Sequence, residues 1–124
     1  MKTLIDNIKK WAEDRNIIKG STPIKQHDKL VEEVLELRDA IVALKFCRMQ
    51  DIPYVRNEIK DAIGDCTVCL INLAAMHDMD FVDCVQSAYD EIKDRKGMMI
   101  DGKFVKQSDL MTTEDVVSQI TQPH

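Results

Sequence analysis

Leu4, Ile5, Ile8, Trp11 and Ala12 recur at the spacing of one helix face, and this pattern fades over residues 16–20. Ser21-Thr22-Pro23 reads as a new start, with Ser21 or Thr22 as N-cap and Pro23 in the first turn. The helix that follows is expected over about residues 23–46. Its apolar stripe is Leu30, Val34, Leu37, Ile41 and Leu44, widened by Val31, Leu35 and Val42, with Glu33, Glu36 and Ala40 along one edge. Arg38 falls inside the apolar arc, where its stem must snorkel or its head must pair with an acid. Residues 49–53 read as a connection to a third helix over about 54–77, whose main stripe is Ile59, Ala62, Ile63, Cys66, Leu70 and Leu73. Beyond Cys66 the opposite side fills with Val68, Ile71 and Ala75, so this half is apolar nearly all round and is expected to be central. Glu58, Asp61, Asp65 and Asn72 share one flank, which is expected to carry Asp65 into the most buried part of the helix.

A fourth helix is expected after Asp80 as N-cap, with Phe81, Cys84, Val85, Ala88 and Ile92 inward and Gly97 as C-cap. Ile100-Asp101-Gly102-Lys103-Phe104 carries the Asp-Gly signature of a tight hairpin, over about residues 98–106. A short terminal helix is expected over about 112–120, ahead of a frayed 122–124. Without repeats, low-complexity tracts or linkers, the pattern describes one domain over 1–124. It is an all-α bundle of four main helices with a small C-terminal β-hairpin, and its core spans about 22–97.

Composition narrows the partners. Charged residues make up 31% of the chain and the net charge is −5, which argues against a nucleic-acid or anionic-membrane surface as the main partner. Aromatics at 5% are too few for a single-strand stacking platform. Met1 to Asp6 lacks the apolar run of a signal peptide. The longest apolar stretch, near Cys66 to Met76, is interrupted by Thr67 and Asn72 and is too short to span a bilayer, so a cytoplasmic location is expected. Cys66 and Cys69 form a C-x-x-C inside an uninterrupted helical pattern, whereas zinc knuckles place that spacing in a turn. These thiols read as small apolar side chains.

The carboxylates change the picture. On a helix Glu33 and Glu36 point within roughly 60° of each other, and Asp61 and Asp65 within roughly 40°. Single carboxylates on amphipathic helices are solvated, and Glu32 and Asp39, opposite the stripe, fit that description. Paired acids beside apolar surface are costly unless a cation offsets them. Packing the two helices together converges four oxygen donors, a set suited to Mg²⁺ or Mn²⁺. Lys93, Arg95 and Lys96 close the fourth helix, and Lys103 and Lys106 follow on the hairpin. They either complement the helix dipole and aid solubility or hold phosphate oxygens. No phosphate-binding glycine loop, dinucleotide fingerprint or nucleophile elbow is present, and His27, His77 and His124 are scattered.

Glu33-x-x-Glu36 followed by Glu58-Ile-Lys-Asp61-Ala-Ile-Gly-Asp65, and later by Tyr89-Asp90-Glu91-Ile92-Lys93-Asp94-Arg95-Lys96-Gly97, resembles the MazG-like all-α nucleoside triphosphate pyrophosphohydrolases. That superfamily is similar to the dimeric dUTPases and to phosphoribosyl-ATP pyrophosphohydrolase, and its pattern is E-x-x-E followed by E-x-x-D. The resemblance runs from about Leu30 to Lys106. The chain departs from the pattern at Ala62, three residues before Asp65. Either Asp61 substitutes there, with Asp61 and Asp65 as ligands and Glu58 second, or Glu58-x-x-Asp61 is the motif and Asp65 is an extra ligand. Asp90 or Asp94 also stands where the family often has Asn, and an acid there would orient a lysine rather than touch phosphate.

The resemblance implies Mg²⁺-dependent hydrolysis of a (d)NTP to (d)NMP and pyrophosphate, with Mn²⁺ as a substitute metal. Glu33, Glu36, Asp61, Asp65 and Glu58 would hold metal, Glu33 or Glu32 would orient the attacking water, and Lys93, Arg95, Lys96 and Lys103 would contact phosphate. It also implies self-association to a dimer or tetramer. The competing class is a non-catalytic helical dimerisation or regulatory module that keeps the bundle without the chemistry.

Overall fold

The second long helix, Pro23–Phe46, starts where the sequence supplies a cap. The Thr22 hydroxyl accepts the Lys25 backbone N–H at 3.2 Å, and Pro23 takes the first turn, where its missing N–H costs nothing. In this computed structural model, which describes residues 1–110, the order is α1 (Lys2–Asp14), α2 (Ile17–Gly20), α3 (Pro23–Phe46), α4 (Ile52–Met76), α5 (Phe81–Ile92), β1 (Gly97–Ile100) and β2 (Lys103–Lys106). The described residues are therefore mostly helical, with five helices and one small antiparallel sheet. The expected helix over 112–120 lies outside them. No helix among the described residues is long and apolar enough to cross a membrane.

The described residues divide into two compact units, residues 1–85 and 86–110. In the first, α3 and α4 fold back on each other across the short connection that holds a 3₁₀ turn, Met49–Asp51. Their seam has a heptad spacing. Gln26, Glu33 and Ala40 are buried on α3, with Leu30, Leu37 and Leu44 half-buried between them. Val55, Ala62 and Cys69 are buried on α4, alternating with half-buried Ile59, Cys66 and Leu73. A seven-residue repeat is the spacing at which two helices interlock at a shallow crossing angle. The other side of α4 buries Ile71, Asn72, Ala74 and Ala75, and α1, with Ile5 and Ala12 buried, packs on α4 along with α2. Asn16, in the left-handed region at φ 59°, turns the chain from α1 into α2.

This seam corrects the expected stripes. Val34 and Ile41 on α3, and Ile63 and Leu70 on α4, are half exposed, while Glu33 and Ala40 take the facing positions. Both helices carry apolar residues over more than half their circumference, so periodicity alone admits two faces. Ala40, Ala62, Cys66 and Cys69 let the backbones approach closely, and bulkier branched side chains are left on the flanks. Leu4 and Trp11 on α1 are likewise exposed at 59% and 46%.

Helix α5 begins as expected, with the Asp80 carboxylate accepting the Val82 and Asp83 N–H groups at 2.7 and 3.2 Å. Its expected inward face is not buried: Cys84, Val85, Ala88 and Ile92 are exposed and Phe81 is half-buried. Within the first unit α4 packs on α3, and α1 and α2 pack on α4. Gly97 does not cap α5, which ends at Ile92, but opens β1 opposite Lys106. A Cβ there would collide with the Val105 carbonyl oxygen and the Phe104 ring, so glycine serves close strand approach. The hairpin turns at Asp101 and Gly102, both left-handed at φ 51° and 78°, the type I′ geometry of an Asp-Gly loop.

Candidate functional site

A cleft of about 500 Å³ runs along one flank of the α3–α4 seam, lined by Glu36, Asp39, Ala40, Ala43, Glu58, Asp61, Ala62 and Asp65. Three alanines form its floor and five carboxylates its walls. The helices put them there simply. Glu36 and Asp39 sit one step off the Leu37–Ala40 seam, and Glu58, Asp61 and Asp65 one step off Ile59, Ala62 and Cys66, on flanks that the antiparallel packing brings to the same side. Four of the five expected metal-site carboxylates therefore share one cleft, and Glu33 adjoins it through Glu36.

Glu33 carries the strongest signal. It is 7% exposed, one carboxylate oxygen lies 3.2 Å from the Lys29 ammonium, and the other, Oε2, is buried without a hydrogen-bond partner. An orphaned buried carboxylate oxygen is costly, and native structures keep one only where something else satisfies it. Glu33 lies within hydrogen-bonding reach of Glu36 and raises the Glu36 carboxyl above its ordinary range, with slight desolvation and the Asp65 charge adding to the effect. Lys29 is in turn held above its ordinary value by its hydrogen bond to Glu33.

The α4 wall is also supported. Tyr54 stands one turn before Glu58, and that carboxylate's proximity raises the phenol above its usual range; the Asn57 amide donates to Asp61 Oδ2 at 3.4 Å. Beneath the site, burial first and the Glu33 charge second push the Cys66 and Cys69 thiols up, so both stay protonated. This behaviour matches small apolar side chains inside α4.

Asp65 is placed differently from expectation, whereas Glu32 is solvated, as its position opposite the stripe implies. Asp65 is exposed and not sunk in the helix centre, because it stands on the flank of the seam and not under it. Glu32 is exposed and faces Lys29 at 3.5 Å, outside the cleft lining. Asp39, read from the sequence as solvated, is on the cleft wall. Among the described residues, no group of three or more His, Cys, Asp or Glu side chains stands assembled as a preformed metal centre. The cleft is a row of carboxylates separated along two helices. Lys93, Arg95, Lys96 and Lys103 belong to the second unit and are exposed; Lys93 pairs with Asp90 at 3.7 Å, and Asp90 also accepts from Gln86 at 3.0 Å.

Sequence reasoning missed Lys29, Tyr54 and Asn57. Each was legible as a partner three or four residues from an acid on the same face, at Glu33, Glu58 and Asp61.

No model of a known protein family matches the chain, and no solved structure matches it. It is 44% identical over 82 residues to a curated relative, the "Uncharacterized 18.2 kDa protein in rep-hol intergenic region" of Haemophilus phage HP1 (strain HP1c1). The match covers 66% of this chain, and the chain spans 44% of that relative's length.

Proposed function

We propose that this chain is a Mg²⁺-dependent nucleoside triphosphate pyrophosphohydrolase, cleaving a (d)NTP to a (d)NMP and pyrophosphate. The observation that carries the reading is Glu33: a carboxylate buried on a helix seam, with one oxygen unpartnered, beside a cleft walled by five more acids. Such an arrangement fits hard divalent cations, which take oxygen ligands and offset like charges. Glu36, Asp61 and Asp65 are the proposed ligands, with Glu58 second and Glu33 behind them. Bound Mg²⁺, or Mn²⁺ in its place, would lower the pKa of a water and offset charge on the phosphates.

The chain's own residues would then do the rest. Glu33 or Glu32 would orient the attacking water, and of the two Glu33 adjoins the cleft-lining Glu36, whereas Glu32 is exposed outside the cleft. Lys29 anchors Glu33 in one orientation. Asn57 holds Asp61, and Tyr54 stands beside Glu58. The roles of Lys93, Arg95, Lys96 and Lys103 as phosphate contacts rest on the resemblance.

Self-association belongs to the same reading. Val31, Val34, Leu35, Ile41, Val42 and Phe46 on α3 are 43% to 75% exposed, a second apolar face opposite the seam. A helix apolar on both sides is expected to bury both, and a second copy of the chain is the proposed cover, giving a dimer or tetramer.

The test is turnover of the Glu36→Gln and Asp65→Asn variants. Both are expected to lose Mg²⁺-dependent pyrophosphate release by at least about 100-fold while keeping their helical content. Intact turnover in either would contradict the ligand set.

A further inference from the structure

A second recess, about 380 Å³, opens between α1 and α4 and is lined by Asn7, Ile8, Trp11, Asp65 and Val68. Asp65 lines this recess and the carboxylate cleft alike, so the two open on either side of one side chain. Trp11 is 46% exposed although it lies on a helix that packs against the core. One face of its indole carries the Arg15 guanidinium, 4.4 Å from the ring centroid, and a ring has a second face to offer. Asn7, one helical turn earlier, brings an amide with both a donor and an acceptor to the same recess.

From this juxtaposition we propose that the Trp11 recess is the nucleobase subsite, with Trp11 as the stacking platform and Asn7 as the group that reads the base edge. The proposal rests on the carboxylate cleft being the phosphate site. A nucleotide carries a polyanion at one end and a flat, π-faced ring with hydrogen-bonding edges at the other. The two recesses meeting at Asp65 offer that pair of chemistries in that order: oxygen ligands for metal and phosphate, then an apolar slot with an indole face. Stacking on an aromatic ring tolerates any base, whereas a single amide discriminates by the pattern of donors and acceptors it meets. Ile8 and Val68 add apolar surface to the open recess, which suits a flat ring better than a sugar.

Trp11 is the chain's single tryptophan, so its emission reports the recess directly. The experiment titrates the full chain, in EDTA, with the nucleoside 5′-monophosphates of each base, and with ribose 5-phosphate as the baseless control. A saturable change in Trp11 emission is expected with at least one nucleotide and none with ribose 5-phosphate. By calorimetry, Trp11→Ala is expected to bind that nucleotide roughly 5- to 150-fold more weakly, Trp11→Phe to retain most of the affinity, and Asn7→Ala to flatten the ranking of bases. No response to any base, an equal response to ribose 5-phosphate, or unchanged affinity in Trp11→Ala would overturn the assignment. The readout separates the two proposals. Base binding in a protein that hydrolyses no triphosphate would leave this subsite standing and remove the hydrolase, and hydrolysis without a Trp11 response would do the reverse.

Discussion

Replacing Glu33 by methionine is expected to stabilise the metal-free protein and to abolish its response to Mg²⁺. Methionine is close to glutamate in length and flexibility, so it fills the same seam position without a cavity. The substitution removes the buried Oε2, which has no partner, and an unsatisfied buried polar group costs about 1–3 kcal/mol. It also removes the ion pair with Lys29, whose side chain is 55% exposed; pairs in such a setting contribute about 0–1 kcal/mol. The difference is a net gain of about 0–3 kcal/mol, centred near 1.5, and a rise in Tm of roughly 3–6 °C for each kcal/mol in a chain of this size. In the wild type, Mg²⁺ at a hundred times its Kd would add about 2.7 kcal/mol by mass action. The order of stability is therefore expected to invert: variant above wild type in EDTA, wild type above variant in Mg²⁺. Thermal unfolding of both proteins under both conditions reads this out. A variant destabilised by more than about 1 kcal/mol in EDTA, or one that keeps the Mg²⁺ shift, would refute the account of Glu33 as a strained carboxylate kept for a cation.

Other consequences are as direct. Glu33 holds the Glu36 carboxyl above its ordinary value of 4.5, so the folded state favours the protonated form. The stability that Glu36 contributes is then complete below pH 4.5 and is lost as pH rises through its raised value. In EDTA the Tm should fall over that window, and Glu36→Gln should lack that component; an identical profile in the variant would contradict the coupling. Thr22→Ala removes the hydroxyl that caps α3 and is expected to cost about 0.5–2 kcal/mol. It should leave the size of the Mg²⁺ shift unchanged, and a loss of that shift would mean the cap reaches the site. Ile41→Asp, on the exposed face of α3, is expected to convert the assembly to single chains in sedimentation velocity, whereas a wild type that already sediments at 14.2 kDa would remove the interface.

Much of the fold is written locally. The limits of α3, the Asp80 cap and the Asp101-Gly102 turn depend on side chains that bond or free their own backbone, so their neighbours in sequence suffice to place them. The acidic flank was legible too, because Glu36, Glu58, Asp61 and Asp65 follow from helical angle alone once two helices are packed. What was not legible depends on the partner surface. Which of two apolar faces of α3 meets α4 is decided by Ala40, Ala62 and Cys69 allowing close approach, a property of the pair and not of either helix. The same choice buries Glu33 and leaves Asp65 exposed. Gly97 carries the composition of a helix cap, and its need for glycine comes from Val105 and Phe104 across the hairpin. Asp39 looked solvated because the stripe was centred one step too far from it; with the seam on Ala40, it becomes a wall of the cleft.

The measurement that bears most directly on the proposed chemistry is a panel of NTPs and dNTPs incubated with the protein and Mg²⁺, with pyrophosphate and phosphate resolved as products. Pyrophosphate with the matching monophosphate, released from at least one nucleotide and abolished by EDTA, is the predicted result. Phosphate as the product, turnover that persists in EDTA, or a folded protein that hydrolyses none of the nucleotides would contradict it.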